Sequence, residues 1–356
     1  MIKPMTYFTI GVLLLISLFM ARTASRAEVT ESKYGSFKIT QELTLPGKPM
    51  MIYDAITGDI SGWWDHSFSG SPFQFYIDPK PGGGFYEIFD ESGDGVLHAT
   101  VIAAERGKLL RFDGPLGLSG RAIKIVHTYE FHPVGSDSTS LKLSVNLSGE
   151  IEEGLPETIN QVWHHFLFDQ FEPYIEEGRH LLVAFEEDEK WGYKNNQGQV
   201  MIPPTYHLAG QFNPYGIAAV VDDSGWVYIS MNGRQLLRPY IIDNGPDYFH
   251  EGLARIIDQG KIGFMDESGT VVISANFDFV LPFSEGLAAF CVGCKPVSQG
   301  EYAIMEGGKW GYINSTGEIV VDPDYDRVGS FINGKAEVVK DGKEIILKKE
   351  DIGEKK

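Results

Sequence analysis

The chain has 356 residues, is 43% hydrophobic and carries a formal net charge of −19. So acidic a molecule repels nucleic acid and anionic membrane surfaces, which excludes both as partners. Its length predicts two or three domains, with ample apolar content for packed cores.

Residues 1–27 read as an export signal. Lys3 precedes an apolar run from Tyr7 to Met20, and Ser25-Arg26-Ala27 offers small residues for a peptidase. The run of 14 residues is shorter than the ~20 that span a bilayer. An uncleaved membrane anchor is the alternative, and no cysteine follows to carry a lipid. Removal takes Lys3, Arg22 and Arg26 and leaves a charge of −22. The mature protein is therefore expected in the periplasm or outside the cell.

Residues 28–36 form a polar lead-in. Strands are then predicted at Phe37 to Leu45, Phe73 to Ile77, Phe85 to Phe89, Val96 to Ala104, Leu109 to Phe112, Ile123 to Phe131 and Ser140 to Leu147. A short helix precedes Trp63-Trp64, at Pro49 to Ile56. Pro156 opens a long helix to about Glu177, and its missing N–H donor is no loss in a first turn. Ile159, Val162, Trp163, Phe166, Phe171 and Tyr174 draw one apolar stripe along it. The order predicts a seven-stranded antiparallel sheet gripping a long C-terminal helix, an α+β domain over residues 37–180.

This order resembles the START-like (SRPBCC) superfamily, nearest its chaperone-ATPase-activator homologues. Trp63-Trp64, Pro81-Gly82-Gly83-Gly84, Leu110-Arg111-Phe112 and Trp163 carry the likeness. The resemblance implies a cavity between sheet and helix that holds an apolar ligand. Period-two parity places Phe73, Phe75 and Ile77 inward, with Leu110, Phe112, Ile125, His127, Tyr129 and Phe131. The predicted cavity wall is Trp64, Phe75, Phe112, His127, Tyr129, Trp163 and Phe166. His127 and Tyr129 are polar tips on it. They either orient a ligand, serve as acid–base groups, or are core residues bonded to backbone or water.

Other chemistry is sparse. His164 and His165 are adjacent on the helix and point about 100° apart, and no His-Glu-x-x-His spacing exists, so no metal centre is expected. Asp65-His66 is an isolated acid–base couple without a nucleophile motif. No cofactor motif is present.

After a linker at 181–189, residues 190–348 repeat. The anchors Trp191, Trp226, Ile262 and Trp310 are each followed by an aromatic two residues on and a glycine seven residues on. A further aromatic falls fifteen residues after three of the anchors, at Tyr206, Phe277 and Tyr325. A phenylalanine then precedes Gly-x-Ala, as in Phe283 to Ala288. Such periodicity predicts four β units that bury their aromatic faces on one another. Lys190-Trp191-Gly192-Tyr193 and Lys309-Trp310-Gly311-Tyr312 resemble the WG-repeat family, which implies a β scaffold for protein interaction and no catalytic residues. The third unit carries an insertion, expected as a surface loop, with Cys291 and Cys294 in it. A local disulfide, a redox pair, half a zinc site and free thiols are the alternatives. Residues 349–356 are a charged tail.

Three functions follow. The first is an exported binding protein whose START-like module holds a small apolar ligand or peptide while the repeats meet a protein partner. The second is a cyclase- or hydratase-like enzyme using His127 and Tyr129. The third is an envelope scaffold with a filled core. The absence of a catalytic constellation weighs against the enzyme.

Overall fold

The computed structural model describes residues 34–299 and 302–352. The proposed export signal, most of the lead-in and the end of the charged tail lie outside the described residues. No helix among the described residues is long and apolar enough to cross a membrane.

The first domain is an antiparallel sheet wrapped around one helical rod. Its strands are β1 (Tyr34–Pro46), β2 (Gly58–Asp59), β3 (Gln74–Ile77), β4 (Gly84–Ile88), β5 (Gly95–Glu105), β6 (Leu109–Asp113), β7 (Ile123–Val134) and β8 (Ser138–Glu150). They run β1-β8-β7-β6-β5-β4-β3-β2 across the sheet. The sheet thus has eight strands rather than seven. The extra one, β2, is a two-residue edge strand, too short to show alternation. Helix α1 (Pro49–Ala55) links β1 to β2.

The rod across the sheet is not uniform. It runs as α2 (Leu155–His164), a π-helical stretch (His165–Phe171) and α3 (Glu172–Glu176). Trp163, Phe166, Phe171 and Tyr174 share one core with Phe75, Leu110, Phe112, Ile125 and Tyr129 of the sheet. Phe73 departs from the expected parity and is 62% exposed. It precedes β3, beyond the covered face.

The repeat region begins earlier than its motif. Residues 182–187, expected as linker, form a strand that pairs with Lys190–Asn195. Each anchor strand lies between the strand before it and, in three units, the strand after it. Trp191 pairs with Tyr206, Ile262 with Phe277 and Trp310 with Tyr325, which accounts for the fifteen-residue aromatic spacing. The register jumps between the anchor and the second aromatic. That jump brings the neighbouring backbone over the intervening glycine. A Cβ on Gly192 would lie 2.5 Å from the Ile202 carbonyl oxygen, so no larger residue fits.

Apolar clusters sit between successive sheets. Tyr193, Ile202, Val220 and Ile229 form the first, and Tyr312, Trp310, Phe331 and Val338 form the last. The array is therefore a stack in which each sheet covers the next. The insertion of the third unit is a β-hairpin, Lys295–Gln299 with Tyr302–Glu306, rather than a loop. Cys291 and Cys294 are disulfide-bonded at its base.

The true anchors are the second aromatics. Tyr193, Phe264 and Tyr312 are almost wholly buried, whereas Trp191 and Trp226 are half-buried. Ile262 and Trp310 are buried as expected. The Tyr193 hydroxyl donates to the Gly210 carbonyl at 2.7 Å, and the Tyr312 hydroxyl to Gly329 at 2.8 Å. Phe212 and Phe331 pack on these rings, with centroids 4.7 and 5.0 Å apart. Tyr193→Ala is expected to cost about 3–5 kcal/mol in chemical denaturation, and Trp191→Ala clearly less. The reverse order would restore the tryptophans as the anchors.

Candidate functional site

The sheet and rod do not meet evenly. Toward β2 and β3 the space is filled by rings: Trp64 packs edge-on to Phe85 (4.9 Å), and Trp63 packs on Phe171 (4.9 Å). Toward the N-terminal half of α2 the space stays open. A cavity of about 940 Å³ lies there, between α2, the 64–68 loop, the 115–118 loop and the faces of β5 and β7. Apolar side chains dominate its wall, among them Phe68, Leu116, Ile125, Val162 and Trp163. Arg121 and Glu152 also line it, joined by an ion pair of 3.0 Å.

Of the predicted cavity wall, Trp64, His127, Trp163 and Phe166 line the hollow. Phe75, Phe112 and Tyr129 do not. They are buried on the same inner face, but in the packed part of the core. Parity put them on the correct side of the sheet without indicating where the interior is hollow.

His127 is the unusual group. It is fully buried on the cavity wall, and neither ring nitrogen has a hydrogen-bond partner. Its neighbours are rings, with Trp163 at 5.0 Å and Phe112 at 6.2 Å. Burial alone pushes its pKa down to about 3, so the imidazole is neutral at ordinary pH. The reading of His127 as bonded to protein backbone is therefore incorrect. Burial also pushes the Tyr129 hydroxyl well up, so it stays protonated.

Sequence reasoning missed the second histidine of the wall. His98 on β5 is buried, and its Nε2 lies 3.1 Å from Glu87. Its Nδ1 has no partner. Glu87 is wholly buried on β4 and organises the loop beside the cavity. It accepts bonds from the Ser67 hydroxyl (2.6 Å) and the backbone N–H groups of Phe68 and Ser69 (3.0 Å each). Burial raises its pKa, but these bonds outweigh that and hold it down to about 2. Neither residue stood out in the sequence, because a lone Glu on an alternating strand reads as solvent-facing.

The Asp65-His66 couple sits on the cavity mouth. The rod brings His165 to it, with Nε2 2.8 Å from Asp65 Oδ2. His164 turns away and stacks on Phe168 at 4.6 Å.

Stretches 191–226, 262–295 and 310–343 match the model of the WG containing repeat. The Trp226 unit is not matched as a copy of its own, and it also departs structurally, with Phe249 37% exposed. No curated protein matches the chain. Several solved structures are similar to part of the chain. Protein of unknown function SA2116 from Staphylococcus aureus is 14% identical over 41% of this chain and 96% of that one, with a TM-score of 0.31. Protein CV1439 from Chromobacterium violaceum is 18% identical over 39% and 96%, with a TM-score of 0.28. Norcoclaurine synthase from Thalictrum flavum, in complex with dopamine and hydroxybenzaldehyde, is 14% identical over 43% and 98%, with a TM-score of 0.29.

Proposed function

We propose that the first domain is a START-like receptor for a small, mainly apolar molecule or peptide end bearing one polar group. The repeat array is its protein-interaction scaffold. The observation that carries this reading is His127, a buried imidazole on an open apolar cavity with both nitrogens unpaired. Buried polar groups are rarely left without partners, because each costs about 1–3 kcal/mol. A ligand hydroxyl, carboxyl or amide reaching this wall would satisfy it. Export remains part of the proposal, supported by the sequence of residues 1–27 and by a disulfide, which persists in oxidising compartments.

The enzymatic alternative has less support. Tyr129 is withdrawn from the cavity wall, so it and His127 do not form an acid–base pair facing one space.

Native protein extracted with organic solvent is expected to release an apolar species detectable by mass spectrometry. Protein of the His127→Phe variant should release far less. A saturating ligand, at about 100 times its Kd, stabilises by about 2.7 kcal/mol, which a thermal-shift screen resolves. Clean extracts together with no shift from fatty acids, sterols and aromatic acids would remove the proposal.

A further inference from the structure

We propose that Asp65, His66 and His165 bind one divalent first-row transition metal at the cavity mouth, with Asp169 as the group that orients His165. This site stands apart from the ligand reading and does not need it.

One ligand atom from each of the three residues lies within 4.8 Å of the other two. Asp65 Oδ2 is 2.8 Å from His165 Nε2, and Asp65 Oδ1 is 3.9 Å from His66 Nε2. Donors bonded to one zinc at ~2.0–2.1 Å stand on the order of 3 Å apart. The two imidazoles are stacked, with centroids 5.5 Å apart and planes inclined by 20°. Small side-chain rotations therefore bring all three donors to one centre.

His165 Nδ1 lies 3.3 Å from Asp169 Oδ2, one helical turn on. A carboxylate on the far nitrogen fixes the proton there and leaves Nε2 free for a metal, the usual outer support of a ligating histidine.

The loop that carries the other two donors is held on both flanks. Trp64 Nε1 donates to the His66 carbonyl at 2.9 Å, and the Trp64 ring stacks on Phe166 at 3.8 Å. Phe166 also meets the His66 ring edge-on at 4.6 Å. On the other flank, buried Glu87 binds Ser67, Phe68 and Ser69. Donors placed on so constrained a loop need little reorganisation to bind. His165 opens the π-helical stretch, a local irregularity of the kind that gathers at functional sites.

Two imidazoles and one carboxylate suit zinc, cobalt, iron or nickel, whereas calcium and magnesium take oxygen ligands. Three protein donors leave at least one coordination position for water or a molecule in the cavity. The expectation of no metal centre weighed the His164-His165 pair on the helix and the Cys291-Cys294 pair, and neither contains this set. The partners of His165 lie a hundred residues earlier, in a loop.

The test uses untagged, chelator-treated full-length protein titrated with ZnCl2 by calorimetry, and with CoCl2 by visible absorption. One equivalent should bind, with a cobalt spectrum showing nitrogen ligation. His165→Gln and Asp65→Asn should abolish binding, and Asp169→Asn should weaken it about 10- to 100-fold. His164→Ala should bind as wild type. Circular dichroism establishes that each variant is folded. Absence of binding at millimolar zinc, or equal affinity in folded His165→Gln protein, overturns the site and leaves an Asp65–His165–Asp169 ion pair.

Discussion

Arg106→Ala is expected to destabilise the protein by about 3–5 kcal/mol. Arg106 lies in the turn between β5 and β6, and its side chain is 14% exposed. It binds Asp54 of α1 through Nε at 2.9 Å and Nη2 at 2.6 Å. The Asp54 side chain is 1% exposed. The same guanidinium donates to three carbonyls of the repeat array, Ser268 (2.9 Å), Tyr215 (3.1 Å) and Gly216 (3.3 Å). One side chain thus fastens the two halves of the molecule. Its removal leaves a carboxylate buried without a counter-charge, the case in which breaking a buried pair costs most. Asn232 donating to Thr57 at 2.9 Å, Arg234 to the Pro79 carbonyl at 3.5 Å and Lys48 over the Tyr215 ring at 4.6 Å also cross the junction, but none of these contacts meets the Asp54 carboxylate. Urea denaturation should be followed by two probes, because separated halves need not unfold together. In Arg106→Ala the probes should give separate midpoints, and the double variant Arg106→Met with Asp54→Leu should recover much of the loss. A loss below about 1 kcal/mol with coincident transitions would show that the pair does not join the halves.

That junction was invisible in the sequence, whereas much of the rest was legible. Alternation along Ile123 to Phe131 is local, and it correctly gave a buried face with Ile125, His127, Tyr129 and Phe131. The spacing of the repeats is also local information, since most Trp-x-Tyr strands pair with strands that lie close to them in sequence. Three of the four units accordingly match a family model. Arg106 instead sits in Glu-Arg-Gly-Lys, which reads as a solvated turn. Its partners lie 52 to 162 residues away, and no periodicity reports such distances.

The cavity shows the same division. Parity tells which side of a strand faces inward, so Phe75, Phe112 and Tyr129 were placed on the correct face. Whether that face meets a ring or an empty volume depends on how the π-helical rod and the 64–68 loop fill the space. Trp64 was expected on the cavity wall, and it lines the cavity. The Glu87–His98 pair, which holds the loop in place, offers no motif at all. Its signal is a buried carboxylate, and only the folded chain reveals that burial.

The second large effect concerns acid. Wild-type protein is expected to lose stability as pH falls from about 6.5, and His127→Phe to lose less. The folded pKa of His127 is about 3, below the 6.5 of an exposed histidine. The unfolded chain therefore takes up a proton below pH 6.5 that the folded chain refuses until about pH 3. Unfolding is favoured across that window, by up to about 1.4 kcal/mol per pH unit for one group. At pH 5 the accumulated cost is about 2 kcal/mol from His127 alone. His180, pushed down to about 4 by burial, adds to it in the same direction. Glu87 contributes only below about pH 4.5, where protonation begins to remove its bonds. Between pH 6.5 and 5 the difference in slope between wild type and His127→Phe thus isolates one imidazole. Denaturation at several pH values measures it, and parallel slopes would mean that His127 is protonated in the fold or bonded there. At pH 7, in ligand-free protein, a phenyl ring replaces an imidazole with two unpaired nitrogens and should be neutral or stabilising. A variant more stable than wild type yet unable to retain the apolar species is the signature of a residue kept for binding at the expense of stability. A variant that loses stability at neutral pH as well would instead make His127 part of the packing, and the binding reading would lose the observation that carries it.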